Sequence, residues 1–382
     1  MSVHPQLLFL YVKCAQAAGQ RKQQIVEYVV KRKLKYLGLK DLDMSEKVEQ
    51  LHSTAIVNRV TTTLTKQDRL GGWKVRWGIN RMGYVIEPGI YAVNNPNSSS
   101  VVFVSANYKL SFDTLRSRLE GLDAWILVLD TKGINVWCAA GKGTFGTEEL
   151  VKRIEVSGLA SVVNHRKLLL PQLGAVGVCA HEVCKRSGFS VIYGPVRASD
   201  IKAFIKAGMK ATEEMRRVQF SLYDRLVLTP VEFVNSLKYL LVVMAVFFLL
   251  SGLNPKGFSR ELMFQNGLGS TVILFAAYLA GTIAGPLLLP WIPGRSFAFK
   301  GAFLGLLVTA ILWNLKWTGN WANTLAWLLL VLPICSYLVM NFTGSSTYTS
   351  LSGVKKEMRV AVPLQIISAF VGIVFWGILR FI

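Results

Sequence analysis

The sequence predicts an α/β domain of three layers with a largely parallel sheet, followed by an α-helical transmembrane domain of about five helices. Three observations predict this. From Trp73 to about Pro230, short strand-like runs alternate with helix-compatible segments, the texture of a Rossmann-like doubly wound sheet. From Val234 onward, apolar runs of about 20 residues follow one another, the length that crosses a bilayer. Finally, hydrophobic residues make up 52% of the 382 positions and charged ones only 17%, with the apolar share concentrated in the second part.

Residues 1–60 read as a basic helical extension. Arg21, Lys22, Lys31, Arg32, Lys33, Lys35 and Lys40 face a lone Glu27. Either a solvated helix or attachment to an anionic membrane surface fits such a run. Leu7 to Val12, followed by Ala15-Gln-Ala17, imitates a signal peptide. The apolar run is short, Lys13 interrupts its end and no basic residue precedes it, so a signal peptide is not expected. The net charge of +21, in a chain with membrane spans, points to an anionic inner leaflet rather than to nucleic acid. Five scattered cysteines argue against a disulfide framework and fit a reducing compartment.

Residues 61–230 form the expected α/β domain. Strands are expected at Tyr84 to Ile86, Ile90 to Val93, Val101 to Ser105, Trp125 to Leu129, Lys167 to Leu170 and Ser190 to Tyr193. Helices are expected at Phe112 to Glu120, Glu148 to Ser157, Ala180 to Arg186 and Ser199 to Ala207. Ligands of open α/β sheets bind beyond the carboxyl ends of the strands. Those ends carry Ser105 and Asn107, Thr131 and Lys132, Gly174, and Gly194, Pro195 and Arg197, small and polar residues suited to a large pocket.

Residues 231–382 carry the expected spans, near 234–253, 268–292, 297–315, 321–342 and 361–381. Trp291, Trp313, Trp317, Trp321, Trp327 and Trp376 lie mostly at run boundaries and read as interfacial anchors. Pro286 and Pro290 are expected to end or kink the second span. Loops on the side of the α/β domain carry Arg295, Lys300, Lys355, Lys356 and Arg359, against Lys256, Arg260, Lys316 and Arg380 opposite. That excess, with no signal peptide expected, places the α/β domain in the cytoplasm, on a multi-pass inner-membrane anchor. The loop Asn341 to Gly353 is dense in hydroxyls. Helix capping or a docking face would each explain it.

The stretch Asp130 to Gly146 holds the most specific chemistry. Asn135 is a good N-cap, and Lys142-Gly143 reads as a last turn and its stop, so Val136 to Lys142 is a helix of about two turns. Cys138 is then its third residue, where the helix start favours a thiolate. Ala139, Ala140 and Gly141 would keep the neighbouring surface flat, a shelf for a broad planar cofactor.

Asn135-Val-Trp-Cys-Ala-Ala-Gly-Lys142 resembles the signature of the mercury-methylating corrinoid protein family (HgcA). The flanking Leu129 to Ile134 and Gly143 to Gly146 are also similar to the corrinoid subunit of CO dehydrogenase/acetyl-CoA synthase, which lacks the cysteine. The resemblance implies a corrinoid-binding domain in which Cys138 is the lower axial ligand of the cobalt of cobalamin. Asn135, Val136, Trp137, Ala139, Ala140, Gly141, Lys142 and Gly143 complete the cap helix beneath the cofactor. Lys132 and Lys142 are expected to meet corrin side-chain amides, and Trp137 to pack the helix on the sheet. The implied reaction is anaerobic methyl transfer from methylcobalamin to Hg(II). It needs a dicluster, ferredoxin-like [4Fe-4S] protein as reductant and a methyl donor from the methyltetrahydrofolate pathway. A corrinoid methyl carrier for another acceptor is the alternative; a transporter with a cobalamin sensor would need buried charges that the spans lack.

Other motifs are weaker. Gly141 to Gly146 satisfies G-x-G-x-x-G, but it has no strand entry and no acid about twenty residues later, where His165 and Arg166 stand. None of His4, His52, His165 and His181 lies in the Asp-x-His-x-x-Gly frame by which many cobalamin proteins supply a histidine ligand. Cys179, His181 and Cys184 read as core residues or as an auxiliary zinc or mercury site. No Cys-x-x-Cys series is present to hold a cluster, and no Gly-x-Ser-x-Gly marks a hydrolase.

Overall fold

The computed structural model describes residues 57–349 and 351–382. The basic extension, with Cys14, His4 and His52, lies almost wholly outside the described residues.

Six strands form one sheet: β1 (Asn58–Val60), β2 (Gly89–Val93), β3 (Val101–Ala106), β4 (Ala124–Leu129), β5 (Lys167–Leu170) and β6 (Ser190–Tyr193). Their order is β1-β2-β4-β3-β5-β6, and every pair is parallel except β2–β4. The helices of this part are α1 (Lys66–Arg76), α2 (Lys109–Arg118), α3 (Val136–Lys142), α4 (Thr147–Val156), α5 (Leu159–Val162), α6 (Ala180–Ser187), α7 (Ile201–Lys206) and α8 (Glu213–Arg216).

Strand periodicity builds the layers. Along β4, Trp125, Leu127 and Leu129 enter one core with Leu150 and Ile154 of α4 and Val183 of α6. Ala124, Ile126 and Val128 enter the other, with Phe112 of α2 and Phe204 of α7. Both faces of the sheet are covered, as its nearly continuous apolar strands require. The strand expected at Tyr84 to Ile86 is instead an isolated bridge between Val85 and Tyr108. β1 and α1 were not expected. α1 starts at a capping box in which Thr65 and Asp68 satisfy each other's backbone N–H groups.

Among the described residues, five helices are long and apolar enough to cross a membrane. They are α9 (Leu222–Leu250), α10 (Arg260–Leu279) continued by a π-helical turn at Ala280–Ala284 and by α11 (Gly285–Leu288), then α12 (Phe297–Asn314), α13 (Trp321–Asn341) and α14 (Leu351–Ile378). The π turn sits just ahead of Pro286, which cannot donate to the regular helical ladder, so the irregularity expected of this span has its cause there. α12 and α13 approach closely because Gly301 and Gly305 face backbone: a Cβ on Gly301 would lie 2.6 Å from Ser336 Cα, and one on Gly305 2.9 Å from Leu332 Cα. Trp327 and Trp376 are not interfacial. They are buried inside the bundle, with ring centroids 5.6 and 4.8 Å from that of Phe247, whereas Trp291, Trp317 and Trp321 are exposed.

Candidate functional site

α3 is short and cannot hold itself together, so its surroundings fix it. Asn135 Oδ1 accepts from Cys138 N at 2.9 Å, and Gly143 closes the far end at φ 80°, a conformation that suits glycine. The preceding loop hangs on Asn107 beyond β3. Asn107 Oδ1 accepts from Thr131 N, Thr131 Oγ1 and Gly133 N at 3.1, 2.9 and 3.0 Å. The single Thr131 hydroxyl proton is shared between Asn107 Oδ1 and Ile134 O, the latter 2.7 Å away. Asn107 and Thr131 are both buried, and their hydrogen bonds shape the loop that leads into α3.

The two faces of α3 differ. Ala139 and Ala140 point inward and are buried against Phe145 in the sheet core. Behind them Gly177 packs so closely that a Cβ there would lie 3.0 Å from Ala140 Cα. The expected shelf is therefore not made by the alanines, because they form the buried stripe of an amphipathic turn. Cys138, Gly141 and Lys142 lie on the exposed face, and a Cβ on Gly141 would meet open space. The bare surface beside the sulfur belongs to Gly141.

A cavity of about 440 Å³ opens alongside. Its walls are Phe103 and Ser105 of β3, Tyr108, Leu115, Leu170, Pro171, Gly194, Pro195, Val196 and the α3 start Asn135-Val136-Trp137. Trp137 is 41% exposed and lines this cavity instead of packing on the sheet. Three walls were not expected from the sequence: Arg76 of α1, Arg81, and Val227, Leu228 and Val231 of the first membrane helix. Their approach depends on tertiary packing, and no local pattern announces it.

The remaining expected residues lie elsewhere. Gly174 is buried, and a Cβ on it would lie 2.6 Å from the Phe145 ring, so it makes room for a core side chain. Arg197 pairs with Asp224 of α9 at 2.9 Å. Lys132 pairs with Asp130 at 2.7 Å on the surface. Burial works against ionisation of Asp130, but the Lys132 ammonium and backbone N–H outweigh it and hold the carboxyl below its usual value. Gly141 to Gly146 joins two helices, with Gly146 as the N-cap of α4, so the glycine pattern is a helix–helix turn and not a dinucleotide loop. Cys179 and Cys184 are exposed, not core, and no cluster of three metal-ligating side chains exists among the described residues.

The residues around α3 fit a corrin ligand in two respects: Cys138 presents a free thiol on an open face, and the adjoining cavity is mainly apolar.

Comparison with known proteins points the same way. Residues 80–205 match the sequence model of the family CdhD, the CO dehydrogenase/acetyl-CoA synthase delta subunit. The acetyl-CoA decarbonylase/synthase complex subunit gamma of Archaeoglobus fulgidus is 33% identical over 123 residues, 32% of this chain and 26% of that protein. Its counterpart in Methanocaldococcus jannaschii is 30% identical over 128 residues, 33% and 26% of the two chains. The corrinoid/iron-sulfur protein large subunit of Moorella thermoacetica is 28% identical over 126 residues, 32% and 28%. The chain thus spans about a quarter of the length of these relatives. Over that stretch, which contains α3 and most of the sheet, it is related to the corrinoid proteins of acetyl-CoA synthesis.

Proposed function

We propose that this chain is a membrane-anchored corrinoid methyltransferase that passes a methyl group to Hg(II), with Cys138 as the lower axial ligand of cobalt. The observation that carries the reading is Cys138 itself, a free thiol held by an Asn135 cap on the exposed face of α3. Bound cobalamin would supply a cobalt centre that can carry a methyl group. The chain's part is to present a soft sulfur donor at Cys138, which would hold the metal and make its methyl group easier to pass to a soft electrophile. Asn135 holds the N3 amide and with it the Cα of Cys138; Gly141 leaves the neighbouring face clear. The apolar cavity with Arg76 and Arg81 would suit an aromatic arm joined to a phosphate.

Reduction between cycles falls to a separate dicluster [4Fe-4S] protein, because the cysteines of this chain are too dispersed to hold a cluster. A methyltetrahydrofolate-dependent donor would reload the methyl group. The α/β domain belongs on the cytoplasmic side, where both partners are found. The relatives' names favour a second reading, a corrinoid methyl carrier for another acceptor.

Cys138→Ala tests the reading. The variant should fold, because the side chain is exposed, but lose the sulfur-to-cobalt absorption of the cobalamin complex and form no methylmercury. A wild-type spectrum with full methylation overturns the ligand assignment. A wild-type protein that binds cobalamin through Cys138 yet yields no methylmercury selects the carrier.

A further inference from the structure

Arg225 is the anomaly of the membrane junction. It lies in the first turns of α9, four residues after the N-cap Ser221, and is only 3% exposed. A guanidinium keeps its charge when buried, and an uncompensated buried charge is strongly disfavoured. Yet none of the described carboxylates pairs with it. Its neighbour Asp224 is committed to Arg197 at 2.9 Å and to Ser221 Oγ at 2.7 Å. Glu357 accepts from Ser296 Oγ at 3.0 Å and from Ala298 N. What Arg225 has is the Trp291 ring, 5.3 Å from Cζ to the centroid, and a long 3.4 Å hydrogen bond from Nη1 to the Tyr348 hydroxyl. Its Nε has no partner.

Tyr348 belongs to the hydroxyl-rich loop whose role the sequence left open. Phe220, just ahead of α9, holds this loop: its ring lies 5.5 Å from Tyr348 and 6.2 Å from Phe342. Buried Thr343 and Ser346 lie in the same loop. The arginine and the loop are thus held together, while Arg225 Nε is left without an acceptor.

We propose that Arg225 and the Phe342–Tyr348 loop bind the phosphate of an anionic membrane lipid. A planar guanidinium fork matches a phosphate, which would supply the missing counter-charge and an acceptor for Nε. The setting selects the lipid source. Arg225 lies five residues before Pro230, after which α9 turns predominantly apolar, and Trp291 beside it is 66% exposed, as an interfacial tryptophan is. Exposed Arg295, Lys355, Lys356 and Arg359 sit on the adjoining loop and helix ends, a cationic surround that draws acidic headgroups.

The test uses the full chain purified from membranes in mild detergent. Native mass spectrometry of the wild type should retain a phospholipid adduct, reduced about tenfold in Arg225→Gln. Added phosphatidylglycerol should raise the unfolding temperature of the wild type but not of the variant, and phosphatidylcholine should do so less. Equal stabilisation by inorganic phosphate alone overturns the lipid assignment, and wild-type lipid retention by folded Arg225→Gln overturns the site. Should that variant not fold, Tyr348→Phe removes only a hydroxyl and should lower retention about threefold. Unchanged retention there overturns the proposal equally.

Discussion

Gly177→Ala probes the support of the cap helix without touching its outer face. A Cβ at this position would lie 3.0 Å from Ala140 Cα and 3.1 Å from Ala140 O, and closer still to Phe145 O. All three are backbone atoms, so no side-chain rotation relieves the clash. Either α3 or the 174–178 segment must move outward, by about 1 Å, and overpacking of this kind costs about 1–3 kcal/mol. Because Ala140 and Cys138 share a rigid turn, the sulfur moves with the helix, and a misplacement of about 1 Å costs a position-dependent reaction about 10²-fold. Thermal unfolding of the full chain should show a lower transition. Titration with cobalamin should show weakened or altered sulfur-to-cobalt absorption. An alanine variant with an unchanged transition and unchanged spectrum would refute the view that Gly177 sets the height of α3.

Two further outcomes follow from the same geometry. Gly141→Leu adds bulk where nothing lies within 4 Å and replaces a glycine inside a helix, so folding stability should hold or rise by about 1 kcal/mol; cobalamin affinity should nevertheless fall, and undiminished binding would place the cofactor elsewhere. The second concerns acid. Asp68 binds Lys109 and, at 2.7 Å, Arg116, which joins Asp113 at 2.8 Å, tying α1 to α2. Burial alone would raise the Asp68 pKa, but Lys109, Thr65 and Arg116 outweigh it and hold the carboxyl well below its usual value. A carboxyl depressed in the folded state stabilises above its unfolded pKa of about 4 and loses that contribution as pH falls below it. Acid unfolding of the wild type should therefore steepen below about pH 4, and Asp68→Asn should flatten that limb while lowering stability at pH 7 by about 3 kcal/mol. An unchanged acid limb would remove Asp68 from the linkage.

Local chemistry was legible in the sequence, and approach across the fold was not. The ends of α3 match expectation to the residue because their signals are local: the Asn135 side chain caps the start, and Gly143, without a Cβ, takes the left-handed stop. β5 and β6 match likewise, being short apolar runs bounded by turn residues. α1 was missed although Thr65 and Asp68 spell a capping box, a signal that could have found it. β1 has three residues and exists only through its pairing with β2, which no local pattern encodes. The inner and outer faces of α3 were misassigned because seven residues are too few for a hydrophobic period to declare itself. No local pattern sets Arg76, Arg81 and Arg225 apart from other cations; only tertiary structure brings the first two to a cavity and buries the third.

The first membrane helix does more than anchor. α9 runs from Leu222 through the expected domain boundary near 230, and Val227, Leu228 and Val231 line the same cavity as Asn135 and Trp137. Its third residue, Asp224, closes the helix start with Ser221 and at the same time holds Arg197, two residues beyond cavity-lining Pro195. Packing and an ion pair therefore couple the strand ends to the helix at two points. A displacement of α9 along its axis must move a cavity wall and pull on the Gly194–Arg197 segment together. The α/β domain and the first membrane helix thus share the walls of one cavity, and α9 cannot shift without reshaping it.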